Sequence, residues 1–357
     1  MKNHTPLLKI DAALDLLSSG LRKLKGIGEA VDHGDDIPFD EWDWEIGVGL
    51  YGQFRDAERR ADARAFAAME RWYDWQIERG LPPRQVNSTA PMLALALLAA
   101  RNGRADWRAI AEDWADWLMR ELPKTQEGGF EHVVKEGRRP EQLWDDTLVM
   151  AVLFLAACGR AFDRPQWVAE AHYQFLVHIR HLADTRTGLF FHGWTFDGRH
   201  NYANALWARG NAWITIAIPE LFLIAPPTDP ALVRYLKTVL QTQVSVLVEL
   251  QRPDGMFHTL LDDPASPVEA SATAGFGYGV MAGIRQGLID SDARALADKA
   301  LNAVLSRIGP DGLLAEVSDG TAMGPDLAFY HRIPNTPTPY GQALASLFLL
   351  EMRNTGV

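Results

Sequence analysis

The chain has 357 residues, a formal net charge of −11 and a single cysteine, Cys158. The acidic balance argues against a nucleic-acid partner, although a local basic cluster can still bind a small anion. One thiol excludes an intrachain disulfide and reads as a buried, inert side chain.

Length alone allows about two domains, yet no Pro/Ser/Gly-rich linker or charge block divides the chain, so one domain over residues 1–357 is expected. The opening stretch, MKNHTPLLKIDAALDLLSSG, alternates polar and apolar residues at helical spacing. It has no apolar signal core, and no later segment is long enough to span a membrane, so a cytoplasmic protein is expected. Periodicity predicts about twelve helices and very little strand. They fall at 8–26, 42–53, 57–80, 88–102, 104–122, 144–158, 163–182, 207–225, 229–250, 268–287, 290–308 and 338–353.

These helices alternate in character. One set is amphipathic and charged on one side, as in RADWRAIAEDWADWLMREL. The other is apolar nearly all round and rich in Gly or Ala, as in TLVMAVLFLAA, NAWITIAIPELFL and ATAGFGYGVMAG. Helices buried on all sides belong to an inner layer and amphipathic helices to an outer one. Six such pairs closing on themselves predict an all-α fold, an (α/α)6 barrel. An open superhelix of helix pairs is the alternative, opposed by unequal repeat lengths and the lack of a recurring consensus.

Polar clusters open several of the apolar helices: Asp43-Trp44-Glu45, Asn87-Ser88-Thr89, Trp144-Asp145-Asp146, Trp207–Asn211 and Glu269-Ala270-Ser271. Each alone suits helix capping. In an alternating barrel the inner N-termini share one end, so the clusters together predict a pocket. Asp146, Asp145, Asp43, Glu45 and Glu269 are its candidate acids and bases, because paired carboxylates can protonate one atom and activate water at another. Arg209, Lys135, His132 and His192 are candidates for anion recognition. Trp207 and Trp213 flank Arg209 and suit stacking on a sugar face. No HExxH, cysteine cluster, phosphate loop or dinucleotide fingerprint occurs, so no metal or cofactor is expected.

The segment Trp144-Asp145-Asp146-Thr147-Leu148-Val149-Met150 resembles the DTLFM signature of glycoside hydrolase family 105, the unsaturated rhamnogalacturonyl hydrolases. Four further segments agree in order: His192-Gly193-Trp194; Trp207 to Trp213; Leu261–Pro264 followed by Glu269-Ala270-Ser271; and Gly320 to Tyr330. The resemblance runs from about Trp42 to Glu351. It implies an (α/α)6 barrel that hydrates a 4,5-unsaturated uronic acid at the non-reducing end of a short, lyase-generated oligosaccharide, without metal or covalent intermediate. It further implies Asp146 as general acid/base and His192 as a histidine near the scissile region. Arg209 and Trp213 would hold the unsaturated sugar, and Asp43, Trp44, Asn87 and His132 would contact substrate, with Trp144 and Trp207 completing the site. Two departures stand out. Related unsaturated glucuronyl hydrolases carry an aspartate where this chain has Asn87, and Pro339-Tyr340-Gly341 replaces a common His-Gly. The expected partner is the oligosaccharide, with neither nucleic acid nor membrane, and the expected assembly is a monomer or homodimer. A sugar epimerase using His132 and His192, and a non-catalytic oligosaccharide-binding module, are the competing readings.

Overall fold

Apolar residues on every side force a helix inward, and the chain supplies six such helices. In the computed structural model, which describes residues 4–21, 24 and 41–355, they are α2 (Trp44–Arg60), α5 (Met92–Asn102), α7 (Leu153–Ala161), α9 (Ala208–Ile224), α11 (Ala270–Arg285) and α14 (Pro339–Asn354). Each packs on the next, and α14 packs back on α2, so the inner ring closes. The outer helices are α1 (His4–Leu21), α3 (Ala63–Arg79), α6 (Ala105–Arg120), α8 (Pro165–Leu182), α10 (Pro230–Leu250) and α12 (Arg294–Arg307). Each lies against the inner ring, α3 mainly on α2, α6 on α5 and α7, α8 on α7, α10 on α9, α12 on α11 and α1 on α14. Two short helices, α4 (Val86–Thr89) and α13 (Leu327–His331), complete the α-helices among the described residues. The fold is the expected (α/α)6 barrel. The last residues of the helix expected at 8–26 lie mostly outside the described residues.

Burial follows the sequence pattern. Every residue of α9 from Ala208 to Leu221 is buried, whereas its outer partner α10 buries only Leu236, Leu240, Gln243, Val244 and Leu247. That three-to-four spacing is one helical face. Glycine brings the inner helices close: a Cβ at Gly279 of α11 would run into the backbone of Thr215 on α9. At the C-terminal end of the inner helices, Tyr51 and Tyr278 both donate to the buried Glu220, and Arg59 and Arg285 both pair with the buried Glu351. No described helix is long and apolar enough to cross a membrane.

Two boundaries differ from expectation. Helix α2 runs on to Arg60 because Ala61 adopts a left-handed conformation (φ 51°) and Asp62 then accepts from the N–H groups of Arg64 and Ala65. Glycine usually takes such a position, so the break carried no signal. The segment 144–158 is not helical throughout. Strand β1 (Gln142–Trp144) pairs antiparallel with β2 (Gly193–Thr195), placing Trp144 opposite Gly193. A π-helical turn, Leu148–Val152, then leads into α7. A second small ladder joins β3 (Phe257–His258) to β4 (Val268–Glu269).

Candidate active site

The inner-helix N-termini and the loops before them enclose a cavity of about 380 Å³. Asp43, Trp44 and Glu45 enter from α2, Asn87 from α4, and Trp207, Arg209 and Trp213 from α9 and its approach. Trp144, Asp146 and Met150 come from the β1–α7 junction, and His132, Lys135, Glu136 and Arg139 from the loop before β1. Gly320, Thr321 and Ala322 close another side. Four of the five polar clusters read from the sequence therefore meet here.

The two adjacent aspartates part company. Asp145 is fully buried, and neither carboxylate oxygen has a hydrogen-bond partner. Its carboxylate presses on Gly210, where no Cβ would fit, and its N–H donates to the carbonyl of His192 at 3.2 Å. Burial and the charge of Asp146 hold its pKa well above the ordinary carboxylate range. Asp145 thus lies behind the cavity wall and is not among the residues that line it.

Asp146 faces the cavity, half-buried. Its Oδ1 lies 3.3 Å from His132 Nδ1. No side-chain cap bond opens the π turn; instead the Asp146 carbonyl accepts from both Val149 and Met150 N–H at 3.0 Å. The N-cap of the π turn is Thr147 rather than the expected Asp146, whose carboxylate lines the cavity. π turns recur at functional sites because they re-aim the chain within a helix. Burial raises the Asp146 pKa, with the charges of His132 and Arg209 pulling against it. Such a carboxyl keeps its proton to higher pH than an exposed aspartate.

His132 is buried, bonded through Nδ1 to Thr147 Oγ1 at 2.9 Å and stacked on Trp144 at 4.3 Å. Burial depresses its pKa against the pull of Asp146. His192 stands one layer behind the wall, against Trp207 and Trp144, with Nδ1 2.8 Å from the Tyr330 hydroxyl. It does not line the cavity, and burial keeps its pKa well below the usual histidine value.

Arg209 is 1% exposed. Its guanidinium lies over the Trp207 and Tyr340 rings, at 4.6 and 4.7 Å from their centres. Nη1 donates to Ser318 O and Oγ, and Nη2 to Asp319 O and Thr321 Oγ1. The indole before Arg209 therefore stacks on arginine. Trp44 stacks on Tyr340 at 4.6 Å and meets Trp213 edge-on at 6.3 Å. Asp43 accepts from its neighbour's N–H, faces Lys135 at 3.8 Å, and has its pKa raised by burial. Burial, and next Asp43, push Glu45 up to about 7.

Glu269, expected among the acid/base candidates, is a structural carboxylate. It is fully buried, caps α11 through Ala272 N–H, and accepts from Ser271 Oγ and Ser318 N. It lies outside the cavity lining, because β4 turns it beneath the 318–321 loop. Asp263 is a turn residue, accepting from Ala265 N–H and facing His331. Sequence reasoning passed over Arg139, which carries no periodic or motif signal, and gave the Gly320–Tyr330 segment no role in the site although Gly320, Thr321 and Ala322 line it. No group of three His, Cys, Asp or Glu side chains able to hold a metal occurs among the described residues.

The chain is similar to known proteins over most of its length. The sequence profile of Glycosyl Hydrolase Family 88 matches residues 29–355. The chain is 31% identical, over 88% of its length and 90% of the relative, to the unsaturated rhamnogalacturonyl hydrolase YesR of Bacillus subtilis (strain 168). A solved structure of a possible GH105-family member from Klebsiella pneumoniae subsp. pneumoniae MGH 78578 superposes with TM-score 0.90. It is 42% identical, covering 96% of this chain and 92% of that one. Another possible member, from Salmonella enterica subsp. enterica serovar Paratyphi A, gives TM-score 0.91 at 40% identity, covering 98% and 95%.

Proposed function

The chain belongs to Glycosyl Hydrolase Family 88, and on that premise we propose that it removes a 4,5-unsaturated uronic acid from the non-reducing end of short oligosaccharides left by a polysaccharide lyase. Asp146 carries the reaction. Protonated, it delivers its proton to C4 of the enol ether; the resulting carboxylate takes a proton from the water that adds at C5. The hemiketal so formed opens, breaks the bond to the next sugar and releases it. The proton returns to Asp146 within the cycle, so one carboxyl serves as acid and then as base.

The observation that carries this reading is the environment of Asp146: a carboxyl at the wall of a sugar-sized cavity, with Oδ1 free of hydrogen bonds but 3.3 Å from His132 Nδ1, and burial favouring its protonated form. Trp44, Trp144, Trp207 and Trp213 give the cavity flat aromatic walls, and Asp43, Asn87 and His132 give it polar edges. Arg209 contributes positive field and shapes the wall, while His192 positions Trp207 and Tyr330 from behind. A second cavity of about 390 Å³ shares Asp43, Glu45 and Lys135 with the first and reaches Thr336–Pro339; it leaves room for the departing sugar.

The epimerase reading needs two histidines in contact with substrate. Only His132 lines the cavity among the described residues, with His192 behind it. The test is incubation with lyase-generated disaccharides while the ultraviolet absorbance of the double bond is followed. Asp146→Asn should slow its loss by about 10²–10⁴-fold with unchanged circular dichroism; full activity in that variant ends the assignment.

A further inference from the structure

Three cationic side chains line the cavity, Arg209, Lys135 and Arg139, and they differ in what else they hold. Arg209 lies over the Trp207 and Tyr340 rings and its two terminal nitrogens are already donated to the 318–321 loop. Lys135 projects outward, 70% exposed, with Asp43 at 3.8 Å. Arg139 is half-buried, and its side chain makes no hydrogen bond or ion pair among the described residues. Glu136 lines the same wall without pairing with it.

The local chain explains the contrast between neighbours. Arg138 forks onto the buried Glu131 through Nε and Nη2, at 2.5 and 2.9 Å. Glu131 also accepts from Glu141 N–H at 2.9 Å, and the Arg139 carbonyl accepts from Gln142 N at 3.3 Å. The loop is thus tied down on both sides of Arg139, while the Arg139 side chain lines the cavity. Its charge reaches His132, disfavouring the imidazolium there, and His132 in turn adjoins Asp146. A guanidinium carries five donors and no acceptor. Holding one partly out of water with no partner is costly unless an anion arrives to use it.

We propose that Arg139 is the carboxylate-binding residue of this cavity, taking the uronate carboxylate of the substrate as a charge-assisted, two-pronged pair while Arg209 keeps the opposite wall in shape. The proposal rests on the reading of the cavity as an unsaturated-uronide site. It assigns the selection for an acidic sugar to a loop residue rather than to the arginine of α9.

The experiment compares a lyase-generated unsaturated uronyl disaccharide with its methyl ester at the unsaturated uronyl carboxyl. Wild type, Arg139→Gln and Arg139→Lys are assayed for loss of the double bond. Arg139→Gln should raise KM for the free acid about 10–100-fold, as expected for loss of a charge-assisted pair, with kcat changed much less. KM for the ester should move less than about threefold, so the preference for the acid collapses. Arg139→Lys keeps the charge but not the fork and should fall between. Binding of the free acid to Asp146→Asn, with and without Arg139→Gln, by calorimetry gives the same comparison without turnover. Retention of the wild-type acid-over-ester preference in Arg139→Gln overturns the proposal alone. No turnover of either compound by wild type overturns the underlying reading, and the proposal with it.

Discussion

Replacing Glu269 with alanine takes away a fully buried carboxylate that is used on both oxygens. Oε1 accepts from Ser271 Oγ at 2.7 Å and Ser318 N at 2.9 Å, Oε2 accepts from Ala272 N, and Arg209 Nη1 stands 3.7 Å from Oε1. Truncation strands two backbone N–H groups, each worth about 1–3 kcal/mol when buried unsatisfied. It also leaves Arg209 without any carboxylate within ion-pair distance among the described residues, and breaking a buried pair costs about 3–5 kcal/mol. The terms overlap, because the Ser318 and Asp319 carbonyls still receive the guanidinium. The expected loss is therefore about 3–5 kcal/mol in total. Glu269→Gln preserves the shape and one acceptor oxygen and should cost about 1–3 kcal/mol. Urea unfolding followed by tryptophan fluorescence measures both, and the glutamine variant keeps the test open if the alanine variant does not fold. A loss below about 1 kcal/mol in Glu269→Ala refutes the claim that this carboxylate anchors Arg209 and the 318–321 loop.

Two further expectations concern the site's carboxyls. Glu45 titrates near 7 in the folded chain because burial and then Asp43 disfavour its charge. The native state thus holds a proton that the unfolded chain loses near 4.5, so this group's contribution falls as pH rises from about 4.5 through 7 and is flat above. Glu45→Gln should accordingly be more stable than wild type above pH 7, by on the order of 1–3 kcal/mol, and indistinguishable from it below about pH 4.5; equal denaturation midpoints across that range refute the assignment. Gly210→Ala places a methyl group into the Asp145 carboxylate and should cost about 1–3 kcal/mol. Adding Asp145→Ala to it should recover much of that loss, and strictly additive stabilities would falsify the contact.

Much of the architecture was legible because burial on all sides and burial on one face leave different periodicities. Those patterns placed the inner and outer helices, and the shared direction of the inner helices placed Asp43, Asn87, Asp146 and Trp207 on one rim. What sequence could not show was depth. Glu269 and Asp146 both open inner helices, yet one is sealed beneath a loop and the other faces the cavity. His192 follows a turn as an exposed loop residue does, but packs behind Trp207. Arg138 and Arg139 are identical neighbours, and only the position of Glu131 decides which is occupied. The helix break at Ala61 hid because alanine stands where glycine is customary.

The seam of the ring also has a consequence for how the chain is made. Helix α14 lies between α11 and α2 and carries α1 on its back, with Gln342 bonded to the Leu17 carbonyl. Both edges of the gap it fills are closely packed by its apolar side chains, Phe348 against Gly277 of α11 and Leu347 against Gly52 of α2. A ribosome has translated through α13 before the residues that join those edges exist. Until α14 emerges, the nascent barrel is a horseshoe with two greasy lips, and α1, earliest of the twelve ring helices in chain order, waits longest for its partner. Synthesis of this fold therefore holds its period of greatest exposure to misassociation until the final turns are complete.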